Sequence, residues 1–218
     1  MNGIPDLENT LQLIGDPTRI ELLTVLIDNR YYTVTELSKK SRVSLSTTSY
    51  HLKKLAEANW VDTYRQGRNV YYSLIDESIA SIIEQLMAIS APKTIKSYKQ
   101  KQDFLQIKNA RTCYSHLAGR FGVNLFDYFL TRDFIEKQKH EVYVTQKGTV
   151  FFKEIGLLQI EQLSGKLCMD WSERKFHLAG SLGKAVCQLF LKEQWIKKSD
   201  ENRSVQLLID CPDWLKKI

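Results

Sequence analysis

Apolar residues recur at three- and four-residue intervals through most of the first ninety positions, the mark of helices with one buried face. Leu7, Leu11 and Ile14 share a face of a first helix over about 6–14. Asp16 caps a second, with Pro17 at its first position, where a missing amide costs nothing; Ile20, Leu23 and Ile27 form its inner stripe. Thr33 and Glu36 have the spacing of a capping box, and the short helix after them turns Val34 and Leu37 inward. Arg42-Val43-Ser44 makes a turn, and Ser44 is a good N-cap for a helix with Thr48, Leu52 and Leu55 inside. The rhythm then shifts to β-rich runs at 61–64 and 70–74, joined by 65–69, where Gly67 supplies a hairpin turn. Asp76 caps a longer helix with Ile79, Ile82, Ile83, Leu86 and Met87 along one side, and Pro92 stops it.

The second half contains a repeat. His116-Leu117-Ala118-Gly119-Arg120-Phe121-Gly122 returns as His177-Leu178-Ala179-Gly180-Ser181-Leu182-Gly183. Phe129-Leu130 is answered by Phe190-Leu191, and Phe134-Ile135 by Trp195-Ile196. Each unit, about 111–156 and 168–218, reads as helix, strand-bearing turn and short helix, with the HLAG segment as a helix whose small residues permit close packing. Two such units would bury each other's apolar faces in one pseudo-symmetric domain. The expected organisation is therefore a helix-and-hairpin domain over 1–91, a basic linker over 92–109 and a C-terminal domain over 110–218. The linker stretch carries five lysines against one aspartate, and its later part has helical character. The fold class expected is mainly α with small β-wings (α+β), the C-terminal half holding two winged-helix-like repeats.

Charge sharpens this picture. Residues 1–90 hold nine Lys/Arg against eleven Asp/Glu, yet residues 39–68 hold seven against only Glu57 and Asp62. Positive charge is thus gathered on the helix–turn–helix and hairpin, although the whole chain is +6. A helix–turn–helix followed by such a hairpin is a winged helix, whose second helix suits the DNA major groove. Ser46, Ser49 and Tyr50 are candidates for base edges, with Ser44 and Thr47 beside them. Lys40, Arg42, Lys53, Lys54 and Arg65 are candidates for phosphates, and Arg68 at the wing for the minor groove or backbone. The alternative is a solvated lysine-rich surface.

Residues 10–90 resemble the ArsR family of bacterial transcriptional regulators. IGDPTRIELL, TELSKKSRVSLSTTSYHLKKLAEANWV and RQGRNVYYSL carry the resemblance, in order and with spacing kept. Asn59 stands where the family usually has glycine; asparagine also tolerates a left-handed helix end. RTCYSHLAG and CMDWSERKFHLAG resemble the C-terminal extension of a longer-chained subgroup. The resemblance implies a homodimeric repressor on double-stranded operator DNA, released by an effector (a metal ion, a small molecule or thiol oxidation). It also implies a twofold interface between first and fifth helices, here Leu7, Leu11, Ile79, Ile82, Ile83 and Leu86. The other reading of that stripe is that it covers the chain's own core.

The family's arsenic-type cysteine pair is replaced by Ser38 and Lys40, and residues 75–90 lack the histidines of its second metal site. The remaining soft ligands are Cys113-x-x-His116, which a helix would place on one face, and Cys168 with His177. They suit a zinc-like or thiophilic ion, while a packing role explains them equally well. The same residues raise a reading of another class, a thiol-redox switch or an enzyme with Cys113 or Cys168 as reactive group and His116 or His177 as base. No recognisable nucleophile motif surrounds either cysteine, so no enzyme activity is expected. Trp171 to Lys175, with Tyr114 and Arg120, read either as one wall of a small-molecule pocket or as an exposed loop with an anchoring tryptophan. No apolar run is long enough to span a membrane, and the polar start is no secretory signal. A cytoplasmic protein with four reduced cysteines and no membrane partner is expected.

Overall fold

The computed structural model describes residues 4–218; Met1–Gly3, the beginning of the polar start read above as no export signal, lie outside the described residues. The chain forms two compact units, Met1–Ile83 and Glu84–Ile218.

The first unit follows the local signals closely. α1 (Leu7–Ile14) is capped by Asp6, and α2 (Pro17–Leu26) by Asp16, whose carboxylate accepts from the Thr18 and Arg19 amides. β1 (Tyr32–Thr33) leads into α3 (Val34–Ser41), where the Thr33–Glu36 capping box is complete. Arg42, at φ 58, closes α3 in the left-handed region, and Ser44 caps α4 (Leu45–Glu57). β2 (Val61–Gln66) and β3 (Asn69–Leu74) pair antiparallel down to Gln66↔Asn69, so the turn is only Gly67-Arg68, tighter than the five-residue connection read from sequence. Gly67, at φ +59, allows it. β1 joins the far side of β3. Leu22, Leu23, Leu26, Ile27, Leu37, Leu52 and Leu55 are fully buried between α2, α3 and α4, whereas Ile20 is only half-buried.

α5 (Glu77–Ile89) begins after Asp76, and the division between the units falls inside it. Two residues assigned to a dimer face need correction. Ile79 and Ile83 are 8% and 1% exposed within the single chain, so the chain's own core takes them. Leu7, Leu11 and Ile82 stay exposed, and Leu86 is half-buried.

In the second unit the basic stretch is not all linker: α6 (Tyr98–Asn109) fills its later part, capped by Ser97. The duplication then appears as two copies of ribbon–helix–ribbon–helix. The first is β4 (Arg111–Cys113), β5 (His116–Ala118), α7 (Gly119–Thr131), β6 (Ile135–Gln138), β7 (Glu141–Val144) and α8 (Gln146–Glu154). The second is β8 (Gly165–Met169), β9 (Phe176–Ala179), α9 (Gly180–Lys192), β10 (Ile196–Lys198), β11 (Val205–Leu207) and α10 (Asp213–Lys216). A 3-10 turn at Ile160–Gln162 lies between them.

The HLAG motif therefore starts as a strand, not a helix. Its histidine, leucine and alanine lie in β5 and β9, and its glycine, at φ +75 and +74, turns the chain into α7 and α9. β-Branched residues are scarce in these strands, which hid them; β5 pairs with β4 and β9 with β8, each inside its own copy. β7 pairs with β8, so one four-stranded sheet, β6-β7-β8-β9, runs through both copies. In the corresponding place, backbone hydrogen bonds Thr112 N–H to Arg203 O (3.0 Å) and Val205 N–H to Ala110 O (2.9 Å) tie β4 to the end of the second copy. α7 packs on β9, and α9 on β5. The core holds Phe129, Phe152, Phe190, Leu182 and Leu215, all fully buried, with Cys187 and Cys211 among them.

Candidate functional site

α4 owes its orientation to its inner face. Thr48, Leu52 and Leu55 are fully buried, and His51, 8% exposed, has its Nδ1 3.8 Å from the Asp16 carboxylate that caps α2. The opposite face is bare. Ser44, Ser46, Thr47, Ser49, Tyr50, Lys53 and Lys54 are all exposed. Ser44 Oγ lies 2.7 Å from Thr47 Oγ1 and 3.2 Å from Ser46 Oγ, so three hydroxyls form one cluster at the helix start. Tyr50, 59% exposed, is steadied edge-on by His51, with ring centroids 5.1 Å apart. A shallow depression between α3 and α4 is lined by Val34, Thr35, Leu45, Ser46 and Ser49. Leu45 and Thr35, both exposed, escaped sequence reasoning because neither carries a charge and neither falls on the inner stripe of its helix.

The cationic candidates separate by their surroundings. Arg42, Arg65 and Arg68 are exposed, Arg68 at the two-residue wing tip. Lys40 is half-buried over the Tyr32 ring, 5.4 Å from its centroid. Lys53 and Lys54 reach Glu57 at 3.9 Å and 3.4 Å. Such exposed pairs are worth little and break readily for a stronger anion.

The second candidate lies in the C-terminal unit. Cys113 faces His116 across the β4–β5 ribbon, and Cys168 faces His177 across β8–β9. The pairs thus sit on strands rather than on a helical face, because a cross-strand pair puts two side chains on one side of a ribbon. The two ribbons turn these pairs toward each other. Cys113 Sγ is 4.0 Å from Cys168 Sγ, and His116 Nε2 is 3.1 Å from His177 Nε2. All four donor atoms lie within 4.8 Å of one another. Cys113, His116 and His177 are buried and Cys168 is half-buried. The contact with Cys168 and then burial push the Cys113 thiol well above its usual range. Burial, followed by the charge of His116, holds the His177 imidazole well below its own.

Behind His177 stands a residue that sequence reading passed over. Asp170 is fully buried, and its Oδ2 lies 3.6 Å from His177 Nδ1. It also accepts from Arg111 at 2.9 Å and from the Gly119 amide at 2.6 Å. Burial works to raise this carboxyl, but Arg111, Ser172 and Gly119 together hold it well below the carboxylate range. Arg111 is itself fully buried, over the Trp171 ring at 4.5 Å and 3.9 Å from Glu84. Glu84 bonds Arg203 as well, so two buried arginines meet two buried carboxylates. Trp171 is the anchor of its loop, and Arg120, Arg174 and Lys175 point to solvent. Its nearby partners, the Ser172 hydroxyl and the Ser172 and Glu173 amides, are those of an ordinary turn aspartate, while Arg111 and Gly119, which set its buried role, are more than fifty residues away.

A winged helix with a bare, hydroxyl-rich second helix, joined to a duplicated α+β unit, defines a DNA-binding protein with an added domain. Residues 16–63 match the family described as "Bacterial regulatory protein, arsR family". The "Uncharacterized HTH-type transcriptional regulator YdfF" of Bacillus subtilis (strain 168) is 34% identical over 208 residues, 93% of this chain and 92% of its own. The "Biofilm growth-associated repressor" of Agrobacterium fabrum is 34% identical over 79 residues, 36% of this chain and 67% of its own. The crystal structure of NolR from Sinorhizobium fredii is 27% identical, covers 43% of this chain and 100% of that one, and has a TM-score of 0.36. The chain belongs to the ArsR family of bacterial transcriptional regulators, and its likeness to YdfF extends through the C-terminal unit. Among the described residues no helix is long and apolar enough to cross a membrane.

Proposed function

We propose that the chain acts as a homodimer that represses transcription from double-stranded operator DNA and is released by an effector received in its C-terminal unit. The exposed outer face of α4 carries this reading. Ser46, Ser49 and Tyr50 reach base edges in the major groove, Ser44 and Thr47 contact backbone at the helix start, and Arg42, Lys40, Lys53 and Lys54 hold phosphates. Arg65 and Arg68 extend the contact along the wing. The relatives described as repressors, the A. fabrum protein and the "Arsenical resistance operon repressor" of B. subtilis, favour repression over activation. Leu7, Leu11 and Ile82, left exposed in the single chain, supply the twofold interface that places two α4 helices one helical turn apart. An effector acts by favouring the dimer geometry that cannot meet both half-sites, weakening binding by its differential affinity for the two states.

The C-terminal unit is read as non-enzymatic. A nucleophilic cysteine needs access and a depressed pKa, and Cys113 has neither, at 2% exposure and with its thiol pushed up. Cys187 is likewise pushed up, to about 11, by burial.

Fluorescence anisotropy on an operator duplex tests the reading. Arg68→Ala weakens binding to every duplex alike and lowers the slope of log affinity against log salt by about 1. Tyr50→Ala instead changes the ranking of half-site variants, by about 1–3 kcal/mol at one base pair. Wild-type affinity, slope and ranking in both variants would remove these residues from the interface.

A further inference from the structure

We propose that Cys113, His116, Cys168 and His177 form a closed, four-coordinate S2N2 site for zinc or a similarly thiophilic divalent ion, held between the two copies of the C-terminal repeat. The site concerns the C-terminal unit alone and stands whether or not α4 reads DNA as described above.

Distances come first. Tetrahedral bonds of about 2.3 Å to sulfur and about 2.05 Å to nitrogen require sulfurs about 3.8 Å apart and nitrogens about 3.3 Å apart. The Sγ atoms lie 4.0 Å apart and the Nε2 atoms 3.1 Å apart. Both spans are within a few tenths of an ångström of what the ion needs; the sulfur–nitrogen edges of such a site are about 3.6 Å, and the four donor atoms, all within 4.8 Å of one another, draw together on loading. In the metal-free protein the two Nε2 atoms are at hydrogen-bond distance, one donating to the other, and an ion bound between them replaces that bond.

Charge comes next. Two thiolates and two neutral imidazoles around a divalent cation sum to zero, so the loaded site suits its buried surroundings. Loading releases one proton from each thiol to solvent, and both S–metal bonds form with the thiolate electron pairs. No oxidant or reductant takes part. All four donors are protein side chains, leaving no open position for a substrate or an activated water, as in a structural or sensory site. Sulfur and imidazole donors select zinc-like ions over magnesium or calcium.

The surroundings complete the arrangement. Asp170, beside His177 Nδ1, favours the tautomer with its proton there and leaves Nε2 for the metal. Gly122 and Gly183 let α7 and α9 close over the opposite copy: a Cβ on Gly183 would lie 3.2 Å from His116 Cβ, and one on Gly122 3.8 Å from His177 Cβ. The duplication explains the stoichiometry. Each copy supplies one Cys–His pair, too few for a closed site, and the pseudo-twofold relation brings the two halves together.

The test uses the full chain, purified without chelator under reducing conditions. Elemental analysis with native mass spectrometry should find one zinc per chain. Chelation followed by titration with cobalt(II) should produce thiolate-to-metal charge-transfer bands and the intense d–d absorption of a tetrahedral ion. Cys168→Ser, at the half-exposed ligand, should lower cobalt affinity at least about ten-fold and weaken the charge-transfer bands, while Cys187→Ala leaves both unchanged. Asp170→Asn should keep the bands and lower affinity about ten-fold or more; unchanged affinity would remove Asp170 from the arrangement. Protein free of metal, with cobalt giving no such bands, would overturn the site without the aid of any variant. So would a Cys113–Cys168 disulfide in metal-free protein that reducing agent and zinc together fail to convert.

Discussion

Gly183 illustrates how little room single positions in the second unit leave. Its backbone φ is unexceptional, yet an added Cβ would stand 2.5 Å from the Leu178 carbonyl oxygen. A backbone oxygen cannot swing aside, so α9 must lift from β9. Gly183→Ala is expected to destabilise the protein by about 1–3 kcal/mol, as overpacking does. Urea unfolding followed by circular dichroism measures it; a midpoint equal to wild type would show that the helix start yields freely. Gly119 and Gly180 are required for a different reason, their positive φ at the strand-to-helix corner. Gly119 and Gly180 are short of space as well, since an added Cβ would stand 2.8 Å from the Lys108 and 2.7 Å from the Ser164 carbonyl oxygen, whereas Gly122 and Gly183 answer to space alone. Residue type alone signals the need for a small side chain there but not which need it is.

At the scale of the element, the first unit is governed by its caps. In α3 the Thr33 hydroxyl meets the Glu36 amide, and the Glu36 carboxylate meets the Thr33 amide at 2.7 Å. The hydrogen bond from the Thr33 amide, then that from its hydroxyl, holds the Glu36 carboxyl below its ordinary value of 4.5. A carboxyl lowered on folding contributes stability above its unfolded pKa, and the contribution fades as pH falls through the folded value. Glu36→Ala should therefore cost about 1 kcal/mol at neutral pH. The difference from wild type should shrink below about pH 4, and paired thermal melts at the two pH values would reveal a constant gap if the carboxylate were irrelevant. Element boundaries here were legible because each cap lies within four residues of what it satisfies. The strands β4, β5, β8 and β9 were not, since each is short and poor in β-branched residues, and β4 and β8 complete their pairing against the other copy.

On the scale of the whole molecule, self-association decides whether one reading helix or two meet DNA. Leu7 and Leu11 are 65% and 55% exposed, unlike Ile79 and Ile83. Leu11→Glu should shift the protein from dimer to monomer in sedimentation velocity and weaken operator binding, with the melting curve little changed. A dimer undisturbed by that charge would move the interface away from α1. The sequence by itself determined the helix–turn–helix, the wing, the caps and the duplication, because hydrogen-bonding and hydrophobic period act between residues near in the chain. It also singled out Cys113, His116, Cys168 and His177 by residue type. Only the tertiary structure decided that these four converge, that Asp170 and Arg111 lie behind them, and that Ile79 and Ile83 turn inward. Convergence depends on strands pairing between two copies some sixty residues apart, and a contact of that range leaves no periodic trace in the chain.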